Sequence, residues 1–284
     1  MQKSYSKRLV AYIDILGFKE VIDATVYPSG GDNKRMINYL LLTYKRFKRV
    51  FKPEYYTSAR KYPYKYFWIK KNTKIVTNFS DSIVISFAMK EISMLPDVLL
   101  EIHNMIEILL WRGLVCRGAI TIGKILHTPT VVFGPALVDA YLLESKHAKF
   151  PRVIIDEPVM KIIKGDKIPY NGHMRLYELE NYIAQDIDGR NYLDYFRIHM
   201  DEPPILNRSS WRYYDLLYNI ITNGLRLSKV TESENLRQKY MWMKEKYNSS
   251  AAFYRSKDFF NRYYRDNEDF RSYNMEYKKV KLIK

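Results

Sequence analysis

The chain has 284 residues, enough for one large domain or two small ones, and its 47% hydrophobic content suffices for a sizeable core. A single cysteine, Cys116, excludes an internal disulfide or a cysteine metal cluster and points to a reducing compartment. The net charge of +16 implies an anionic partner (nucleotide, nucleic acid or acidic lipid), although a Lys- and Tyr-rich composition produces the same charge without one.

The N-terminal M-Q-K-S-Y-S-K-R runs straight into a strand, without the apolar stretch or small-residue cleavage site of a signal peptide. No apolar run approaches the roughly 18 residues of a membrane span. The expectation is a cytoplasmic protein with no membrane contact. Residues 8–15 predict a strand, and Gly17 and Phe18 open a short helix. Pro28 to Asn33 is a loop. Residues 35–51 predict a helix, because Ile37, Leu40, Leu41, Tyr44, Phe47 and Phe51 recur at helical spacing. Residues 53–65 are Pro/Tyr/Lys-rich and irregular. Residues 66–78 and 82–88 predict strands joined at Ser80-Asp81-Ser82, a hairpin with Asp81 at its tip.

A helix follows over about 93–112, started by Ser93 and Pro96, then strands at 114–123 and 131–133. A helix at 135–147, a strand at 152–156 and a short helix to about 164 complete this part. The alternation predicts an α+β fold, one mixed and mostly antiparallel sheet with flanking helices, over residues 1–168. Residues 169–284 read as a C-terminal extension. It begins with short strands at 174–179 and 191–198 around the turn Asp188-Gly189, and becomes a mainly helical appendage from Trp211 onward.

Two segments carry chemistry. Y-I-D-I-L-G-F at 12–18 and N-F-S-D-S-I-V-I-S at 78–86 each place one carboxylate, Asp14 or Asp81, at the edge of an apolar run. A charge there needs compensation. Two carboxylates brought together by adjacent strands are relieved by divalent metal, and a metal pair gripping a polyphosphate is a common device for in-line attack on phosphorus. Either Asp alone fits a helix cap or a turn equally well.

In order and spacing the chain resembles the class III nucleotidyl cyclases over about 150 residues. Their first strand ends D-I-x-G-F, matched by Asp14, Ile15, Leu16, Gly17 and Phe18. Asp81 matches the acidic residue of their hairpin tip, with Ser80 in place of a glycine. Arg117 and Gly123 match the outer positions of their R-x-G-x-x-x-G strand, and Phe133-Gly134 matches an aromatic-Gly pair opening a helix. The positions of the Asn and Arg on that helix hold Val138 and Leu142. The purine-selecting lysine position falls at Ile75, with Lys74 on the other face. The runs F-G-P-A-L-V-D-A-Y-L-L-E, P-R-V-I-I-D and D-x-D-G-x-x-Y-x-D-Y (Asp186 to Tyr195) instead look like the Pycsar pyrimidine cyclases of bacterial antiphage defence.

The resemblance implies an enzyme that turns UTP or CTP into the 3′,5′-cyclic nucleotide, UTP being favoured. It further implies a homodimer with active sites at the interface, and a separate effector activated by the product. It implies two Mn²⁺ or Mg²⁺ ions on Asp14, Asp81 and the Ile15 carbonyl, hard cations matched to oxygen donors. Gly17 and Phe18 would present N–H groups to the triphosphate. Arg117 would neutralise charge in the transition state or serve as a structural ion pair. Lys124, Arg152 and Lys146 are further phosphate candidates, and Tyr12 either stacks on the base or belongs to the core. Two rivals keep other roles: an inactive nucleotide sensor on the same fold, and a nucleic-acid binder built on the basic, Tyr-rich segment 34–74.

Overall fold

Leu9, Val10, Ala11 and Ile13 are fully buried, on both faces of the strand, and this makes β1 (Ser6–Ile15) a central strand. β1 pairs antiparallel with β3 (Ser82–Ala88) on one side and with β4 (Cys116–His127) on the other, and Asp14 stands opposite Ser82 and Arg117. β2 (Lys74–Phe79) forms a hairpin with β3. β6 (Val153–Ile155) runs parallel to β4, and β8 (Asn191–Leu193) and β7 (Ile183–Gln185) extend the sheet antiparallel. The order is β2-β3-β1-β4-β6-β8-β7, with the two-residue β5 (Val132–Phe133) paired to β4. This computed structural model describes residues 4–50, 74–89, 95–165, 179, 182–197, 210–258 and 279–284.

Helices cover the sheet. α1 (Phe18–Asp23) and α2 (Lys34–Val50) follow β1, and α3 (Leu95–Trp111) follows β3. α4 (Pro135–His147) and α5 (Glu157–Lys164) flank β6. Val10, Val84 and Ile125 pack against Ala136 and Ala140, which sets α4 on the face carrying the even residues of β1. The other face meets α3, where Lys74 Nζ lies 2.6 Å from Glu101 Oε2. The mixed, mostly antiparallel sheet with flanking helices is therefore the one the sequence predicts.

Strand β4 has no room for a side chain at Gly118, where a Cβ would stand 2.4 Å from the Tyr12 carbonyl oxygen. Gly134 likewise sits at φ 145, and a Cβ there would stand 2.8 Å from Ile125 Cα. The glycine of the aromatic-Gly pair is thus required where the chain entering α4 passes close to β4.

Some expectations are corrected. The strand expected at 191–198 ends at Leu193, and its hairpin partner β7 has no counterpart in the sequence reading. Leu179, the described residue of the strand expected at 174–179, is buried but lies in no strand. Residues 66–73 of the strand expected at 66–78 lie outside the described residues.

Two compact units divide at Asp194/Tyr195. The second holds α6 (Ser210–Val230) and α7 (Glu234–Tyr254), an antiparallel pair joined by a short turn and capped by Ser233, whose hydroxyl accepts from Leu236 N–H at 3.3 Å. Tyr214 Oη lies 2.9 Å from Ser250 Oγ, and the Tyr214 ring packs on those of Tyr247 and Tyr254. The mainly helical C-terminal region is as predicted. No helix among the described residues is long and apolar enough to cross a membrane.

Candidate functional site

The hairpin between β2 and β3 turns through Ser80 and Asp81 alone, because Phe79 pairs directly with Ser82. Tyr44 of α2 donates its hydroxyl to the Ser80 carbonyl at 2.5 Å. Ile15 N–H donates to the Asp81 carbonyl at 2.9 Å. The two segments that carry Asp14 and Asp81, 67 residues apart in the chain (81 − 14), are therefore tied together at one end of the sheet. Asp14 lies two residues beyond Tyr12 on the face covered by α4.

Arg117, directly across from Asp14 on β4, donates its Nε–H to Asp14 Oδ2 at 3.0 Å. The same nitrogen lies 2.6 Å from Oε1 of Glu144, on α4. Only one of these is an aligned hydrogen bond, since Nε carries one proton and Glu144 Oε1 accepts none. Glu144 is 2% exposed. Burial, partly offset by Arg117 and reinforced by Asp14, pushes its carboxyl up to about 7. Among the described residues, Arg117 finds partners only through Nε, and its two terminal nitrogens carry no hydrogen bond on a side chain that is 28% exposed.

Tyr12 completes the cluster. Its hydroxyl lies 2.8 Å from Ser82 Oγ, and its ring meets Tyr141 of α4 edge-on. Burial holds the phenol above its ordinary value, the Ser82 bond lowers it, and Asp14, Glu144 and Asp81 raise it further. Tyr44 is likewise raised, first by burial and then by Asp81. Three carboxylates, one guanidinium and two phenols thus share one end of the sheet.

The donor set suits a hard divalent cation. Asp14 supplies carboxylate oxygens from the end of β1 and Asp81 from the adjoining hairpin turn, whose carbonyl accepts from the Ile15 N–H. No group of three or more His, Cys, Asp or Glu side chains with metal-holding geometry occurs among the described residues. Cations there would take their other ligands from water or a phosphate chain. Glu144 Oε1, beside Arg117, is buried without a hydrogen bond.

The structure separates the remaining candidates. Gly17 and Phe18 begin the six-residue α1 just past Asp14, with Gly17 exposed and Phe18 buried. Lys124 lies seven residues along β4 from Arg117 (124 − 117), about 23 Å away at strand spacing, and pairs in register with Lys7. Lys146 is exposed in the last turn of α4.

Arg152 is 1% exposed and both its terminal nitrogens are engaged, while its Nε is buried without a hydrogen bond: it pairs with Asp186, donates to both oxygens of Asp188 at 3.1 and 2.5 Å, and donates to the His147 carbonyl at 3.2 Å. The acidic residues of D-x-D-G hold this arginine. Val138 and Leu142 point outward from α4, 54% and 38% exposed. Lys74 is turned to the α3 face, as its strand parity predicts. Residues 51–73 of the basic segment lie outside the described residues.

Glu144 closes the run F-G-P-A-L-V-D-A-Y-L-L-E, but the sequence gives it no role. Its signal is the spacing of Ala136, Ala140 and Glu144, which continues a buried i, i+4 stripe onto the sheet face.

No family model matches the chain, and no curated protein matches it. Among solved structures it is similar to a class III adenylyl cyclase-like ATP-binding protein from Pseudomonas aeruginosa, with 12% identity and a TM-score of 0.39. The match covers 62% of this chain and 39% of that one, and a likeness so slight carries no weight for function.

Proposed function

We propose that the chain is a nucleotidyl cyclase acting on a pyrimidine nucleoside triphosphate, UTP ahead of CTP. The observation that carries this reading is the convergence of Asp14 and Asp81, locked by the Ile15–Asp81 backbone bond beside a guanidinium with free terminal nitrogens. In the reaction the ribose 3′-oxygen bonds to the α-phosphorus, the bond to pyrophosphate breaks, and the hydroxyl proton leaves to solvent. Mg²⁺ or Mn²⁺ on Asp14, Asp81 and the Ile15 carbonyl would neutralise phosphate charge and acidify the hydroxyl.

Arg117 directs its terminal nitrogens at the developing phosphate charge. Tyr12 offers a ring edge and a hydroxyl to the nucleoside. Val138 and Leu142 give α4 an apolar outer face where a polar ribose clamp is absent, which supports a homodimer whose second protomer supplies that clamp. A cyclic pyrimidine product suits a signal read by a separate effector, as in antiphage defence.

The test is an equal mixture of the four NTPs with Mn²⁺ and the purified full chain, read by mass spectrometry and pyrophosphate release. Cyclic UMP or cyclic CMP is expected. Asp81→Ala should lower the rate by more than about a hundredfold, since even groups that only orient a metal ligand are worth 10–100-fold. Nucleotide binding without pyrophosphate release would make the chain a sensor and overturn the enzymatic reading.

A further inference from the structure

Arg117 Nε–H is claimed by two carboxylates and satisfies one. The bond goes to Asp14 Oδ2, while Glu144 Oε1, at 2.6 Å and buried, is left without any hydrogen bond. A buried carboxylate oxygen without a hydrogen bond is a costly state, so a rearrangement that supplies one is favoured. Such a rearrangement is available. Asp14 is also the carboxylate that would ligate a divalent cation, and a guanidinium cannot stay on it without facing like charge at short range.

Resting on the reading of Asp14 as a cation ligand, we propose that Glu144 is a positioning residue that receives Arg117 when Asp14 turns to a metal ion. The guanidinium then gives its Nε–H to Glu144, remains beside the carboxylate pair, and keeps its terminal nitrogens free for an anionic substrate. The short distance means the exchange needs a turn of the N–H direction rather than travel. The backbone holds all three partners in place: Asp14 and Arg117 are register partners, and Glu144 lies on the buried stripe of α4 with Ala136 and Ala140.

The exchange makes a coupling that a merely structural carboxylate lacks. With Glu144→Gln, Asp14 is the sole carboxylate left to Arg117 among the described residues, and cation binding must take it from the guanidinium. With Arg117→Ala there is nothing to receive, so Glu144→Gln should matter little. Mn²⁺ titrated into the full-length wild type, Glu144→Gln, Arg117→Ala and the double variant, with thermal unfolding checked on each, reads this directly.

The expected result is a roughly tenfold weaker Mn²⁺ affinity for Glu144→Gln, in the range of groups that orient metal sites. That loss should shrink to within about twofold when Arg117 is already alanine, as for uncoupled changes. Glu144→Asp, which retains the charge on a shorter arm, should fall between and serves if Gln does not fold. Unchanged affinity in Glu144→Gln overturns the proposal and leaves the Asp14 reading intact. So does a loss that persists undiminished in Arg117→Ala, because Glu144 would then act through its own charge. Failure of the wild type to bind Mn²⁺, or binding indifferent to Asp14→Asn, overturns both.

Discussion

Two arginines, Arg117 on β4 and Arg152 at the start of β6, each meet two acidic residues, and they are solved differently. Arg152 is buried, and its carboxylates come from one tight turn, so its terminal nitrogens donate three hydrogen bonds to carboxylate oxygens and one to a carbonyl. Arg117 is partly exposed, and its carboxylates come from a strand and a helix that share one N–H between them. The first cluster spends its hydrogen bonds on holding β6 to the β7–β8 turn. The second leaves donors and an acceptor unspent. Arg152 too leaves one donor over, its buried Nε, so the contrast lies in the terminal nitrogens: those of Arg152 are engaged by carboxylates and a carbonyl, and those of Arg117 carry no hydrogen bond among the described residues.

The comparison breaks first at Arg152. Arg152→Ala should destabilise the protein by about 3–5 kcal/mol, because it strands the Asp186 carboxylate, 1% exposed at its side chain, without its cation. Urea unfolding measures it. Arg117→Ala should cost far less, since its own side chain is 28% exposed and Glu144 can take up a proton. Equal costs would show that the two clusters do the same structural work.

Acidity separates the pair next. The Glu144 carboxyl titrates near 7 when folded against an ordinary value of 4.5, so the native state holds an extra proton between those values. The associated stability is fully present below about 4.5 and is lost as pH rises through about 7, at most about 3 kcal/mol in all. Asp188 slopes the other way. Burial works to raise it, but the bonds from Arg152 and the nearby backbone win, leaving it below its ordinary 3.8. Its contribution is present above that value and lost in acid. Unfolding of wild type and Glu144→Gln across pH 5–8 should give curves that diverge as pH rises, with the variant gaining on the wild type.

How far the sequence revealed this contrast depends on the kind of information needed. Strand β1, the hairpin tip at Asp81 and the helix from Pro135 to His147 follow from local patterning, and α4 begins and ends where the sequence places it. The convergence of Asp14 and Asp81 follows from strand order once the family resemblance supplies it. Glu144 is different: a glutamate on a helix with exposed Leu142 and Ser145 beside it looks solvated, and only the Ala136–Ala140 stripe betrays its side. Arg152 resembles a phosphate ligand in sequence because its partners lie 34 and 36 residues onward, across a turn that patterning alone does not pair with β6. Strand β7 escapes because three residues are too few to show alternation.

Gly118 lies between the two arginine clusters, following Arg117 and donating its N–H to the Arg152 carbonyl at 3.0 Å. Gly118→Ala would drive a methyl into the Tyr12 carbonyl and the Ile13 side chain, so β1 and β4 must part locally. A loss of about 1–3 kcal/mol is expected, as for other overpacked cores. Because the shift falls at the Tyr12–Asp14 register, the proposed cyclase activity should fall by more than stability predicts. A loss of stability alone would mean that the Arg117 cluster tolerates displacement.

The smallest effect comes from the two hairpin turns. β7–β8 turns through Gly189 at φ 78, a conformation glycine adopts freely. β2–β3 turns through Ser80 at φ 50, where a side chain costs about 1–2 kcal/mol. Ser80→Gly removes that strain but adds backbone freedom to the unfolded chain, worth about 0.5–1 kcal/mol. The net gain should be a few tenths to about 1 kcal/mol in unfolding experiments. Strain retained beside Asp81, where one substitution relieves it, is consistent with a backbone selected to aim that carboxylate. If so, the stabilised variant should bind Mn²⁺ no better than the wild type. A variant that is both more stable and tighter-binding would show that Ser80 contributes nothing to the aim of Asp81.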